Sequence, residues 1–115
     1  MIETVHLKPG CFYHIYNRGN NRENIFIEPR NYEYFLKLWH KHISPAADTL
    51  AYCMLSNHFH ALVKIKDIQI ESPEVTFDNS NENKNKSPWH KAFANFFNAY
   101  SKGFNKTYGR TGKLF

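Results

Sequence analysis

The sequence predicts an α+β domain in which helices cover one face of an antiparallel sheet. Three short stretches are rich in apolar, aromatic or β-branched residues, the third of them alternating with period two, and in two longer stretches apolar residues recur with a helical period. The order of these stretches is strand, helix, strand, strand, helix, with no internal repeat. At 115 residues, 42% apolar and 17% aromatic, the chain has the length and composition of a single domain with a real core.

Residues 11–17 are rich in aromatic and β-branched types and run into Arg18-Gly19-Asn20-Asn21, a strong turn signal, so a first strand and then a loop are expected. After Pro29, the residues Tyr32, Phe35, Leu36, Trp39 and Ile43 fall at helical spacing until Ser44-Pro45 ends the pattern, which predicts a helix over about 30–43. Residues 49–55 form a short apolar run, Ser56-Asn57 a turn pair, and residues 58–65 alternate with period two. These three features predict a β-hairpin. Residues 66–87 are polar and asparagine-rich, with too few apolar side chains to offset the entropy of ordering them, so a mobile loop is expected, with room for a short element near 68–75.

Ser87-Pro88 supplies an N-cap and a first-turn proline for a second helix over 88–108, which Gly109 stops. Its stripe Trp89, Phe93, Phe96, Phe97, Tyr100, Phe104 and Tyr108 has two readings, a platform on which bases stack or a core face. Burying each ring contributes about 4–6 kcal/mol, so leaving all seven in water is costly and core is the stronger reading. The element order is most of a split β-α-β, ferredoxin-like layout, which normally closes with one more strand and often a further helix. Those closing elements are expected to be missing from these 115 residues.

Fifteen Lys and Arg against ten Asp and Glu give a net charge of +5, which modestly favours an anionic partner such as nucleic acid. The distribution says more: residues 67–82 hold five acids and no base, and everything after Glu82 holds seven bases and no acid. A solvated helix face accounts for that basic third as well as a phosphate-binding surface does. Cys11 and Cys53 lie inside apolar runs without metal-type spacing and are read as reduced core residues. No run approaches the roughly 18 apolar residues of a membrane span. Residues 1–10 lack the apolar centre of a signal peptide, so a soluble, cytoplasmic protein without a membrane partner is expected.

His58 and His60 are the residues best suited to chemistry. On a strand, i and i+2 project to the same face, about 6.5–7 Å apart along the chain, near enough for both rings to reach one ion. Phe59 and Ala61 then point the other way, into the core. A lone His-x-His is weak evidence, since exposed or hydrogen-bonded strand histidines show the same spacing. His14 on the first strand could neighbour the pair or be an ordinary satisfied strand histidine. Arg18, Asn20, Asn21 and Arg22 form a basic, amide-rich loop suited to phosphate or base contacts, although a plain turn also accounts for it. Lys91, Lys102, Lys106, Arg110 and Lys113 lie mainly off the aromatic stripe, where they could track a DNA backbone. His40 and His42 near the end of the first helix suit its dipole and need no function.

Three blocks of the sequence carry a family resemblance. They are Tyr13-His14-Ile15-Tyr16-Asn17-Arg18-Gly19-Asn20-Asn21-Arg22 with Ile25-Phe26; Ala51-Tyr52-Cys53-Met54-Leu55-Ser56-Asn57-His58-Phe59-His60-Ala61-Leu62-Val63; and Phe97-Asn98-Ala99-Tyr100 through Phe104-Asn105-Lys106 and Tyr108 to Phe115. In this order they resemble the single-tyrosine HUH transposases, the insertion sequence 200-like and REP-associated tyrosine transposases. The resemblance implies single-stranded DNA as partner, with hairpin recognition and a homodimer both open. It implies His58, His60 and a third polar ligand holding Mg2+ or Mn2+ against the scissile phosphate. It also implies a tyrosine that attacks to give a 5′-phosphotyrosine and a free 3′-OH, which lets strands rejoin without ATP.

The resemblance places that nucleophile on a further helix beyond one more strand, with an amide residue four positions later completing the metal site. The catalytic tyrosine is therefore expected beyond Phe115. Tyr100 does not fit the role, because it lies on the core stripe and position 104 is Phe. Two other functions compete: a non-catalytic nucleic-acid-binding module, since related sheets bind single strands through aromatic residues and basic loops, and a metal-dependent hydrolase. No Asp or Glu lies near His58 and His60 in sequence to act as the hydrolase base.

Overall fold

A computed structural model describes residues 7–67 and 88–115. The expected loop and short element over 68–87, with the Ser87 cap, lie outside the described residues. Within them the chain is α+β: strand β1 (Phe12–Arg18), helix α1 (Pro29–His42), strands β2 (Ala47–Leu55) and β3 (His58–Ile65), and helix α2 (Pro88–Tyr108). The three strands form one antiparallel sheet in the order β1-β3-β2, with β3 at its centre.

Period-two alternation gives the sheet its two faces. On β3, Phe59, Ala61, Val63 and Ile65 are buried under the helices, and His58, His60, Leu62 and Lys64 face away from them. Both helices lie on the same face: the Phe59 ring is 5.9 Å from Trp39 of α1 and 5.9 Å from Phe97 of α2. In β2 a bulge between Thr49 and Ala51 takes up Leu50 as an extra, exposed residue. It leaves Thr49 on the helix side, where its hydroxyl accepts from the Trp39 indole N–H at 2.8 Å.

Helix α1 starts at Pro29, where a missing N–H costs nothing. The Asn31 side-chain oxygen accepts from the backbone N–H groups of Ile27 and Glu28, satisfying donors the helix cannot. The aromatic stripe of α2 is core: Phe93, Phe96, Tyr100 and Phe104 are buried, and Trp89, Phe97 and Tyr108 are packed against the same cluster. Gly109, at φ +61°, ends the helix in the left-handed region.

Two crossings fix the end of the sheet where the histidines lie. The loop after β1 crosses the β2–β3 turn: Gly19 N–H donates to Asn57 O at 2.9 Å, and the Ile25 and Phe26 N–H groups both donate to Ser56 O. The C-terminal segment returns to that loop, with Asn20 N–H donating to Leu114 O at 2.7 Å and Leu114 itself buried.

One expectation is corrected. Cys11 and Cys53 are exposed rather than core. Cys11 precedes β1, and the alternation of β2 beyond its bulge puts Cys53 opposite His60, on the face the helices do not cover.

Candidate functional site

The sheet face that neither helix covers is built from alternate residues of three strands. His58 and His60 stand two apart on β3, both half-buried, with ring centroids 5.1 Å apart and planes at 85°. The register of β1 against β3 pairs Tyr16 with His60 and Arg18 with His58, and β2 brings Cys53 and Leu55 to their other side. The Tyr16 ring lies 4.9 Å from His60 and 6.0 Å from His58, and the Arg18 guanidinium is 5.9 Å from the Tyr16 ring.

Each of the two histidines has its Nδ1 engaged. His58 Nδ1 lies 2.8 Å from Asn57 Oδ1, and His60 Nδ1 lies 2.8 Å from Nε2 of His14. His14, left between two readings by the sequence, is thus a direct neighbour of the pair. Partial desolvation, then the neighbouring His14 and His58 imidazoles and Arg18, hold the His60 imidazole below its ordinary pKa. A ring kept neutral near neutral pH retains a lone pair for an ion.

A divalent ion held by this pair would have to take most of its ligands elsewhere. Two imidazoles supply two nitrogens, and among the described residues no three of His, Cys, Asp and Glu are grouped to hold a metal. The remaining positions would fall to water and to phosphate oxygen, as hard divalent ions favour. Imidazole is softer than Mg2+ prefers, so such a pair suits Mn2+ better.

The residues expected to bind DNA are not gathered in one place. Arg18 shares the histidine face. Asn20, Asn21 and Arg22 form a short 3-10 turn beside it, with Asn21 and Arg22 both at positive φ. Lys113 adjoins that turn through Leu114. Arg110 is engaged within the fold, paired with Glu23 at 2.5 Å and bonded to Asn105. Lys102 and Lys106 are exposed on α2, with the sheet between them and the histidines. Tyr100 is fully buried on the helix side, donates its hydroxyl to Ile25 O at 2.5 Å, and burial pushes its phenol well above the ordinary range.

Sequence reasoning missed Asn57 and Tyr16 as members of this site. Asn57 was visible as the residue preceding the histidine pair, whereas Tyr16 depended on the β1–β3 register, which a single sequence does not carry. No helix among the described residues is long and apolar enough to cross a membrane. Compared with protein-family models, with curated proteins and with solved structures, the chain has no match.

Proposed function

We propose that this chain is a single-stranded-DNA-binding protein of the single-tyrosine HUH transposase type, in which His58 and His60 hold Mg2+ or Mn2+ beside a DNA phosphate. One observation carries the reading: two imidazoles with engaged Nδ1 atoms stand side by side on the sheet face that neither helix covers, next to Arg18 and the Asn20–Arg22 turn. The strand order β1-β3-β2 with both helices on one face supports the ferredoxin-like layout expected for such proteins.

The chemistry divides between the ion and the chain. When bound, the metal polarises a phosphoryl oxygen and neutralises charge on the phosphate. His58 and His60 would hold that ion, Arg18 would screen the neighbouring phosphate, and the amides of Asn20 and Asn21 would offer hydrogen bonds to backbone or base. In the nick-and-join reaction proposed for the family type, a tyrosine other than Tyr100 supplies the attacking oxygen, because Tyr100 is sealed on the far side of the sheet.

A second reading, a nucleic-acid-binding module without metal chemistry, is favoured by the exposed rings on the same face: Phe12 is 57% exposed, and Tyr16, four residues along the same strand, is partly open. The two are separated by measuring binding of a labelled single-stranded oligonucleotide with Mn2+ and with chelator, in the wild-type chain and in His58→Ala and His60→Ala. The metal reading expects Mn2+ to strengthen binding and both substitutions to abolish that gain. Binding that ignores Mn2+ and both substitutions would leave only the second reading, and no binding at all would end both.

A further inference from the structure

We infer that His14 and Asn57 are the positioning residues of the histidine pair, each occupying the Nδ1 nitrogen of one ring so that both rings present Nε2 to the divalent ion. This rests on the metal reading above and adds to it the residues that decide which nitrogen binds.

The argument for His58 is short. A carboxamide oxygen only accepts, so the 2.8 Å contact from Asn57 Oδ1 requires the proton on His58 Nδ1 and leaves the lone pair on Nε2. Asn57 is itself anchored, since its backbone oxygen accepts from Gly19 N–H at 2.9 Å. The side chain that fixes the tautomer therefore sits on a turn held from the neighbouring loop.

For His60 the partner is another imidazole. The His14 and His60 planes are within 5° of parallel and their centroids are 4.9 Å apart, close to the 2.8 Å nitrogen separation plus two ring radii. The rings therefore meet edge to edge in nearly one plane, the geometry of an in-plane N–H···N bond rather than of a face-to-face stack. One proton lies between the two nitrogens. With that proton on His60 Nδ1, His60 Nε2 is free to ligate and His14 keeps its own proton on Nδ1. Metal-binding histidines generally donate their second N–H in this way, and the partner fixes both tautomer and ring orientation. His14 is then a support rather than a third ligand, because its Nε2 is turned to His60.

Two measurements test this. In the metal-free, 15N-labelled protein at a pH of about 8, above the ordinary histidine pKa, long-range proton–nitrogen correlations report the tautomer of each ring. Both His58 and His60 are expected to carry their proton on Nδ1. His14→Phe, which keeps a ring but offers no acceptor, should release the His60 preference, and His14→Gln, which keeps an acceptor, should retain it. Mn2+ affinity read by electron paramagnetic resonance should fall about tenfold to a hundredfold in His14→Phe and recover in His14→Gln.

A wild-type His60 protonated on Nε2 would overturn the inference, as would unchanged Mn2+ affinity in His14→Phe while His58→Ala and His60→Ala lose it. If His58→Ala and His60→Ala bind Mn2+ as tightly as wild type, the metal reading itself fails and takes the inference with it.

Discussion

Tyr100 Oη donates to the carbonyl oxygen of Ile25 at 2.5 Å, tying the middle of α2 to the loop that crosses the β2–β3 turn. The next link is the Ile25 N–H, which donates to Ser56 O one residue before Asn57. Tyr100→Phe removes a buried donor and strands a carbonyl, a loss of about 1–3 kcal/mol. Urea unfolding should show that loss, while Mn2+ affinity stays at the wild-type value. Any covalent DNA adduct this chain forms should survive the substitution. An adduct abolished by Tyr100→Phe in a chain that remains folded would make Tyr100 the nucleophile and contradict its placement in the core.

Gly19 sits where a side chain has no room. A Cβ there would lie 2.0 Å from the backbone oxygen of Glu23, and backbone cannot swing aside as the tip of a side chain can. Gly19→Ala should therefore cost about 1–3 kcal/mol, the range for overpacking. It should also weaken single-stranded DNA binding, because the Asn20–Arg22 turn closes over this residue. Wild-type stability in Gly19→Ala would show that the loop relaxes freely and that the turn is not held in a fixed shape.

Much of this architecture was legible because period-two and helical patterns are local. The alternation Phe59, Ala61, Val63 against His58, His60, Leu62 assigned the two faces of β3, and the spacing of Phe93, Phe96, Tyr100 and Phe104 assigned the buried stripe of α2. What was not legible depended on register and on long-range pairing. Cys53 reads as apolar in its run, but the bulge at Leu50 sets which face it takes. The contact between His14 and His60 joins residues 46 apart and follows from a strand pairing that no local pattern specifies. The separation of Lys102 and Lys106 from Arg18 likewise depends on which side of the sheet α2 occupies.

The depressed His60 pKa gives a stability dependence with a definite sign. Because the folded-state value lies below the ordinary 6.5, protonation favours the unfolded chain. The contribution of neutral His60 is full above pH 6.5, declines as pH falls below it, and is gone once pH passes the folded-state value. His60→Gln should flatten that part of the unfolding profile. In an NMR titration of the metal-free protein, the His60 ring should titrate below 6.5, and His14→Gln should raise its midpoint by removing the unfavourable electrostatic contribution of the His14 ring to protonated His60. A His60 midpoint at or above 6.5 in the wild-type chain would remove the premise.

Salt dependence of DNA binding distinguishes the two basic surfaces. Each phosphate neutralised on a single strand contributes about 0.7 to the slope of log affinity against log salt. Arg18 shares the histidine face and Arg22 lies in the adjoining turn, so Arg18→Ala and Arg22→Ala should each lower the slope by about that amount. Lys102→Ala and Lys106→Ala should leave it unchanged, because α2 lies across the sheet from the histidines. Arg110→Ala should act differently from both groups: its guanidinium is paired with Glu23 and bonded to Asn105, so its loss should lower stability more than it lowers the slope. If the α2 lysines change the slope and the arginines do not, DNA runs over the outer face of the helices and the histidine face is not its binding surface.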